Sequence, residues 1–139
     1  MFKYPLVTIA EKGYLYFVKE EKDLLYTTYQ GFKSGYYNNL VIIDSEGRRY
    51  VVKESVLIQA KSNWFLQLKY FLGVKIKVKL ILDSSVEQLS LSDFKDYVLK
   101  LIRRDSGYSE IEGKLDYVNK ASRIHDIIAY LTDIYYKNV

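Results

Sequence analysis

The stretch Val74-Lys75-Ile76-Lys77-Val78-Lys79-Leu80-Ile81-Leu82 decides how this chain is read. Apolar residues at 74, 76, 78, 80 and 82 alternate with lysines at 75, 77 and 79, and successive side chains of a strand point to opposite faces. One face, Val74 to Leu82 on the even numbers, is expected in the core, and the lysine row in water. Upstream the sequence is punctuated like a β-sheet. Beyond Asp83 the apolar residues recur at helical spacing.

Working back from this strand, Leu40 to Ile43 and Arg48 to Ile58 read as a hairpin joined by Asp44-Ser45-Glu46-Gly47, with the glycine where a type I turn and bulge want it. Leu6 to Ala10 and Tyr14 to Glu20 make a second hairpin around Glu11-Lys12-Gly13. Leu24 to Tyr29, with Tyr26-Thr27-Thr28-Tyr29, has the β-branched and aromatic character of a third strand. Gly31 to Asn39 has two glycines, two asparagines and no periodicity, and is expected to be a loop. Ser62 to Gly73 fits a helix through Trp64, Phe65, Leu68, Phe71 and Leu72. It also fits a strand through Leu66, Leu68, Tyr70 and Leu72, so both readings stay open.

Working forward, Ser92 is placed to cap a helix whose stripe is Phe94, Val98, Leu101 and Ile102, with Asp93 and Asp96 in its first turn and Arg103 and Arg104 in its last. Ile111, Leu115 and Val118 continue the spacing weakly. Ile124, Ile127, Ile128, Leu131 and Ile134 predict a terminal helix capped near Ser122. The expected fold is α+β: an N-terminal antiparallel β-sheet, able to curl into a small partly open barrel, packed by C-terminal helices. Residues 1–139 are expected to form a single domain, with 1–82 mainly β and 83–139 mainly α.

Composition narrows the chemistry. There is no cysteine and one histidine, His125, which removes thiolate nucleophiles, disulfides and His/Cys zinc sites and leaves His125 as the one imidazole base a serine nucleophile could use. His125 reads as a partly exposed helix residue. Asp93 and Asp96 are accounted for by the helix dipole, and Asp44 and Glu46 by turn chemistry, because Gly47-Arg48-Arg49 supplies none of the oxygens a calcium loop needs. Gly31 and Gly35 match neither phosphate-cradling pattern. No catalytic, cofactor-binding or metal site is expected. No apolar run approaches the length of a signal peptide core or a membrane span, so a cytoplasmic chain without membrane association is expected.

Charge and aromatic content supply the candidate surfaces. Residues 1–82 carry 13 Lys and Arg against 7 Asp and Glu, a net +6, while 83–139 carry 8 against 10, a net −2. Lys75, Lys77 and Lys79 could follow a phosphate backbone, yet no aromatic residue interleaves with them within the strand, and lysines also protect an exposed sheet edge. Among 15 tyrosines, most sit in expected strands, whereas the adjacent Tyr36 and Tyr37 fall in the expected loop and are the first place to look for a partner surface. The expectation is a non-enzymatic protein-binding domain. One concrete form is an immunity-type protein that neutralises a bacterial toxin. Two alternatives are a binder of nucleic acid or an anionic surface through the basic sheet face, and an enzyme with a carboxylate/tyrosine site.

Overall fold

The computed structural model describes residues 1–58, 64, 68, 72–105 and 111–137. Seven strands are found among the described residues: β1 (Leu6–Ile9), β2 (Leu15–Val18), β3 (Tyr26–Thr27), β4 (Val41–Ile43), β5 (Arg48–Leu57), β6 (Ile76–Leu82) and β7 (Glu87–Gln88). Five helices have both ends among the described residues: α1 (Glu21–Leu25), α2 (Tyr29–Lys33), α3 (Leu91–Asp105), α4 (Ile111–Lys120) and α5 (Ile124–Lys137). The strand pairs are all antiparallel in the order β2-β1-β4-β5-β6-β3, with β7 joined to β5.

This sheet cannot lie flat. Its first and last strands, β2 and β3, are joined only by Lys19 to Leu25, most of it the single turn of α1. Six strands side by side span about 24 Å, whereas that connection reaches at most about 20 Å. The sheet therefore curls into a half-barrel, and α1 lies across the opening in contact with β2, β3 and β6. The expected partly open barrel is what the connection length imposes.

Curling gives the sheet an inner and an outer face with separate cores. Leu6, Val18, Leu40, Ile42, Tyr50, Val52 and Val78 turn inward and meet Leu24 of α1 and Tyr37. Val7, Ile9 and Ile43 turn outward beneath Phe94, Val98 and Leu101 of α3, Val118 of α4 and Ile124, Ile127, Ile128 and Leu131 of α5. Because β1 is covered on both sides, all four of its residues are buried, Thr8 included. The Asp44–Gly47 turn is held from within. The buried Asp44 carboxylate accepts from the Glu46 and Arg48 N–H groups at 3.0 Å and pairs with the Arg48 guanidinium at 2.8 Å. This is the turn role expected of that carboxylate. Gly47 has φ +80, and a Cβ there would meet Ile124 Cδ1 at 2.6 Å, so the turn presses onto α5 where only glycine fits.

Several expectations are corrected. Leu24 and Leu25 are helical, and the third strand shrinks to Tyr26–Thr27, because Leu24 has to plug the barrel opening as the chain crosses it. The expected loop begins as a helix, α2, whose first turn is capped by the Thr28 hydroxyl accepting from Gly31 N–H at 3.0 Å. Helix α3 is capped by Ser90, not Ser92: its hydroxyl accepts from Asp93 N–H at 3.1 Å and its carbonyl from Phe94 N–H at 3.0 Å. Arg123, not Ser122, stands at the head of α5, its guanidinium forked onto Asp126 at 2.8 and 2.9 Å. Strand β6 starts at Ile76, leaving Val74 41% exposed and Lys75 ahead of the strand. The Ser62 to Gly73 reading lies largely outside the described residues; Trp64, Leu68 and Leu72 are helical and exposed.

Candidate functional site

Strand β6 is where the half-barrel is least covered. Its inward residues Ile76 and Val78 are buried, and Leu80 and Leu82 are half-buried. Its outward residues Lys77, Lys79 and Ile81 are exposed. Direct cross-strand partners share a face, so Lys79 stands beside Val56 and Ile81 beside Glu54 of β5, and Lys77 beside Tyr26 of β3. Val56 is 42% exposed, Tyr26 38% and Ile81 37%. Helices α3–α5 shield the outer face over β1, β2 and β4 and leave this part bare. Lys77 Nζ lies 5.9 Å from the centre of the Tyr26 ring. An aromatic side chain does therefore accompany the lysines, supplied by a neighbouring strand that the one-strand pattern could not reveal.

Beyond Lys77, β6 has no strand on the side away from β5 among the described residues, and α1 packs there instead. Ile58 N–H donates to Lys77 C=O at 2.9 Å and Asp83 N–H to Val51 C=O at 2.8 Å, so odd-numbered residues turn their backbone groups toward β5. Even-numbered residues turn theirs the other way. On that side β3 meets only Ile76 and Lys77. The N–H and C=O groups of Val78, Leu80 and Leu82 thus point away from β5, toward the side where α1 lies against β6, and Val78 is fully buried there. Beside them runs a groove of about 300 Å³, floored by Phe2, Leu25, Tyr50, Leu80 and Leu82 with Glu21 at its rim. It is the seam the half-barrel leaves unclosed.

Tyr36 and Tyr37 occupy a different place from the one expected. Tyr37 is 3% exposed and donates its hydroxyl to Leu24 C=O at 2.7 Å, tying α1 to the inner core. Tyr36 is half-buried, its ring edge-on to Tyr16 and its hydroxyl 2.7 Å from Thr8 Oγ1. Burial pushes the Tyr36 hydroxyl up to about 12 and raises that of Tyr37 further. Both rings build the core and Tyr37 offers no surface. The signal that could have told them apart is the Thr28 cap, which makes this segment an ordered turn over the barrel opening. Nor are the tyrosines brought near the lysines: Tyr36 lies over β1 and β2, the lysines on β6.

His125 is exposed on α5, as expected of it. Its neighbour Asp126 is held below the usual carboxylate range by the Arg123 hydrogen bond. Asp126 and Asp116 border a second, polar depression of about 450 Å³ between α4 and α5, roofed by the stacked Tyr117 and Tyr130 rings at 3.9 Å. Asp116 is paired with Lys120 at 2.9 Å. Among the described residues no three His, Asp or Glu side chains gather as a metal site would require, and no helix is long and apolar enough to cross a membrane.

A curled antiparallel sheet with helices packed over part of its outer face places the chain in the α+β class. Comparison with protein-family models, with the curated proteins and with the solved structures finds no match to it.

Proposed function

We propose that this chain is a non-enzymatic protein-binding domain and that it docks through the uncovered part of its sheet. The supporting observation is the surface of β5 and β6, where exposed Val56, Ile58 and Ile81 alternate with Lys77 and Lys79 beside Tyr26. Apolar side chains bordered by charge are the composition of a protein contact, whereas a phosphate-binding face is basic without apolar interruption. The Asp126 carboxylate at the α4/α5 depression favours the same reading, since its hydrogen bond from Arg123 stabilises its charged form, the opposite of a general acid at neutral pH. A toxin-neutralising protein of immunity type is the narrower form of the proposal. It draws on small size and on the shortage of nucleophile and base side chains.

Affinity capture from the native cell tests this, run in parallel with the chain and with a Val56→Glu/Ile81→Glu variant. Both positions are exposed, and circular dichroism should show the variant folded like the parent. The chain should recover one protein that the variant loses. Failure to recover any specific protein would sink the proposal, as would steeply salt-dependent nucleic acid binding that disappears when Lys77 and Lys79 are replaced. For the narrower form, the gene beside this one should encode a protein whose toxicity the chain suppresses.

A further inference from the structure

Between the end of β5 and the start of β6 the chain exposes apolar side chains on a segment whose charge is of one sign. Trp64, Leu68 and Leu72 stand in helical backbone four residues apart, a spacing that lines them along one face. All three are exposed, Trp64 by 63% and Leu72 by 67%. Ile58 and Val74, exposed as well, mark the two points where the segment leaves and rejoins the sheet. From Ser55 to Leu82 the sequence holds Lys61, Lys69, Lys75, Lys77 and Lys79 and no Asp or Glu. Lys75, Lys77 and Lys79 are exposed, and none of the three is paired with a carboxylate among the described residues.

We propose that this segment seats the chain on the surface of an anionic lipid bilayer, with Trp64, Leu68 and Leu72 entering the boundary between headgroups and acyl chains and the lysines meeting the lipid phosphates. The inference goes beyond the protein-binding reading and does not rest on it. No spanning helix is needed, because an interfacial helix lies in the plane of the headgroups with only its apolar face immersed. Charge complementarity selects this occupant. A bilayer of anionic lipids is negative across the whole width of the segment, and each lysine held near it contributes about 1 kcal/mol. Leucine supplies the apolar immersion, while the amphipathic ring of tryptophan settles at headgroup level. The outer sheet face differs in kind. There Glu54 stands beside Ile81, so both signs of charge border the apolar groups, as a protein contact requires and a lipid surface does not.

The test mixes the full chain with phosphatidylcholine vesicles, with and without phosphatidylglycerol, and reads the emission of Trp64, the only tryptophan of the sequence. With phosphatidylglycerol present the chain should sediment with the vesicles, its emission should shift to the blue, and lipids brominated along the acyl chain should quench it. With phosphatidylcholine alone none of these should occur. A Leu68→Glu/Leu72→Glu variant, shown to be folded by circular dichroism, should bind at least about tenfold more weakly. Replacing Lys75, Lys77 and Lys79 by glutamine should weaken binding roughly a hundredfold. A Val56→Ser/Ile81→Ser variant should bind like the parent. Failure of the chain to bind phosphatidylglycerol vesicles would overturn the proposal. So would co-sedimentation with unchanged Trp64 emission, which is charge attraction without immersion, or an equal blue shift produced by single-stranded DNA. A free chain that is dimeric with blue emission, and that Leu68→Glu/Leu72→Glu renders monomeric, would assign the stripe to a second copy and overturn it too. The same holds for a captured native protein that buries Trp64 and is not displaced by vesicles.

Discussion

Val78 is fully buried in the inner core, in a cluster with Leu6, Leu24, Ile42 and Val52. A carboxylate at this position would be removed from water with no cation to meet it, so Val78→Asp should destabilise the fold by about 4 kcal/mol. Val74, four residues earlier on the same alternation, is 41% exposed and lies ahead of β6, and Val74→Asp should change stability by less than about 0.5 kcal/mol. Denaturant unfolding of the two variants checks the contrast. A stable Val78→Asp chain would remove Val78 from the core. The alternation identified the apolar face of β6 correctly, but it could not say where the strand begins, because period two carries no terminus. Pairing with Thr27 supplies that limit, at Ile76.

At the scale of elements, the start of α3 shows how a local rule can be two residues out of place. Ser90 and Ser92 are both plausible caps by residue type, and both precede the apolar stripe of Phe94, Val98 and Leu101. The Ser90 hydroxyl takes the Asp93 N–H, while Ser92 already lies inside the helix. Ser90→Ala should therefore cost about 1 kcal/mol and Ser92→Ala close to nothing, since alanine is the better residue within a helix. Thermal unfolding of the pair distinguishes the caps; equal losses would refute the assignment. Helix α1 illustrates the complementary failure. Leu24 to Tyr29 has the composition of a strand. The need to bring β2 and β3 to opposite lips of a half-barrel turns Leu24 inward as a plug and leaves two residues for pairing.

On the scale of the whole molecule, the inner core is rich in phenols whose neutral form the fold requires. Burial pushes Tyr36 up to about 12, its bond to Thr8 offsetting part of this, and burial with Glu21 and Asp23 nearby pushes Tyr4 up to about 12. Burial also raises Tyr37. An unfolded tyrosine ionises near pH ~10. The folded values are higher, so this contribution to stability is complete below about pH 10 and is lost as pH rises through about 12. Denaturant midpoints should be level up to about pH 9 and fall between about pH 10 and about pH 12, with tyrosinate absorbance appearing in step with unfolding. A Tyr37→Phe chain should show a shallower fall. Tyrosines that all titrate together near pH ~10 with the fold intact would contradict this.

The amino-acid sequence by itself determined the period of the main strands and of the C-terminal helices, the two hairpins, the excess of positive charge over residues 1–82, and the absence of cysteine. These are local properties, written in residue type and in spacings of two or three to four. Only the tertiary structure decided which faces are covered. It buried Tyr37, brought Tyr26 beside Lys77, and left the outer face of β5 and β6 exposed at Val56, Lys79 and Ile81. Those outcomes depend on how far a seven-residue connection can reach and on which strands the helices shield, and no spacing along the chain encodes either.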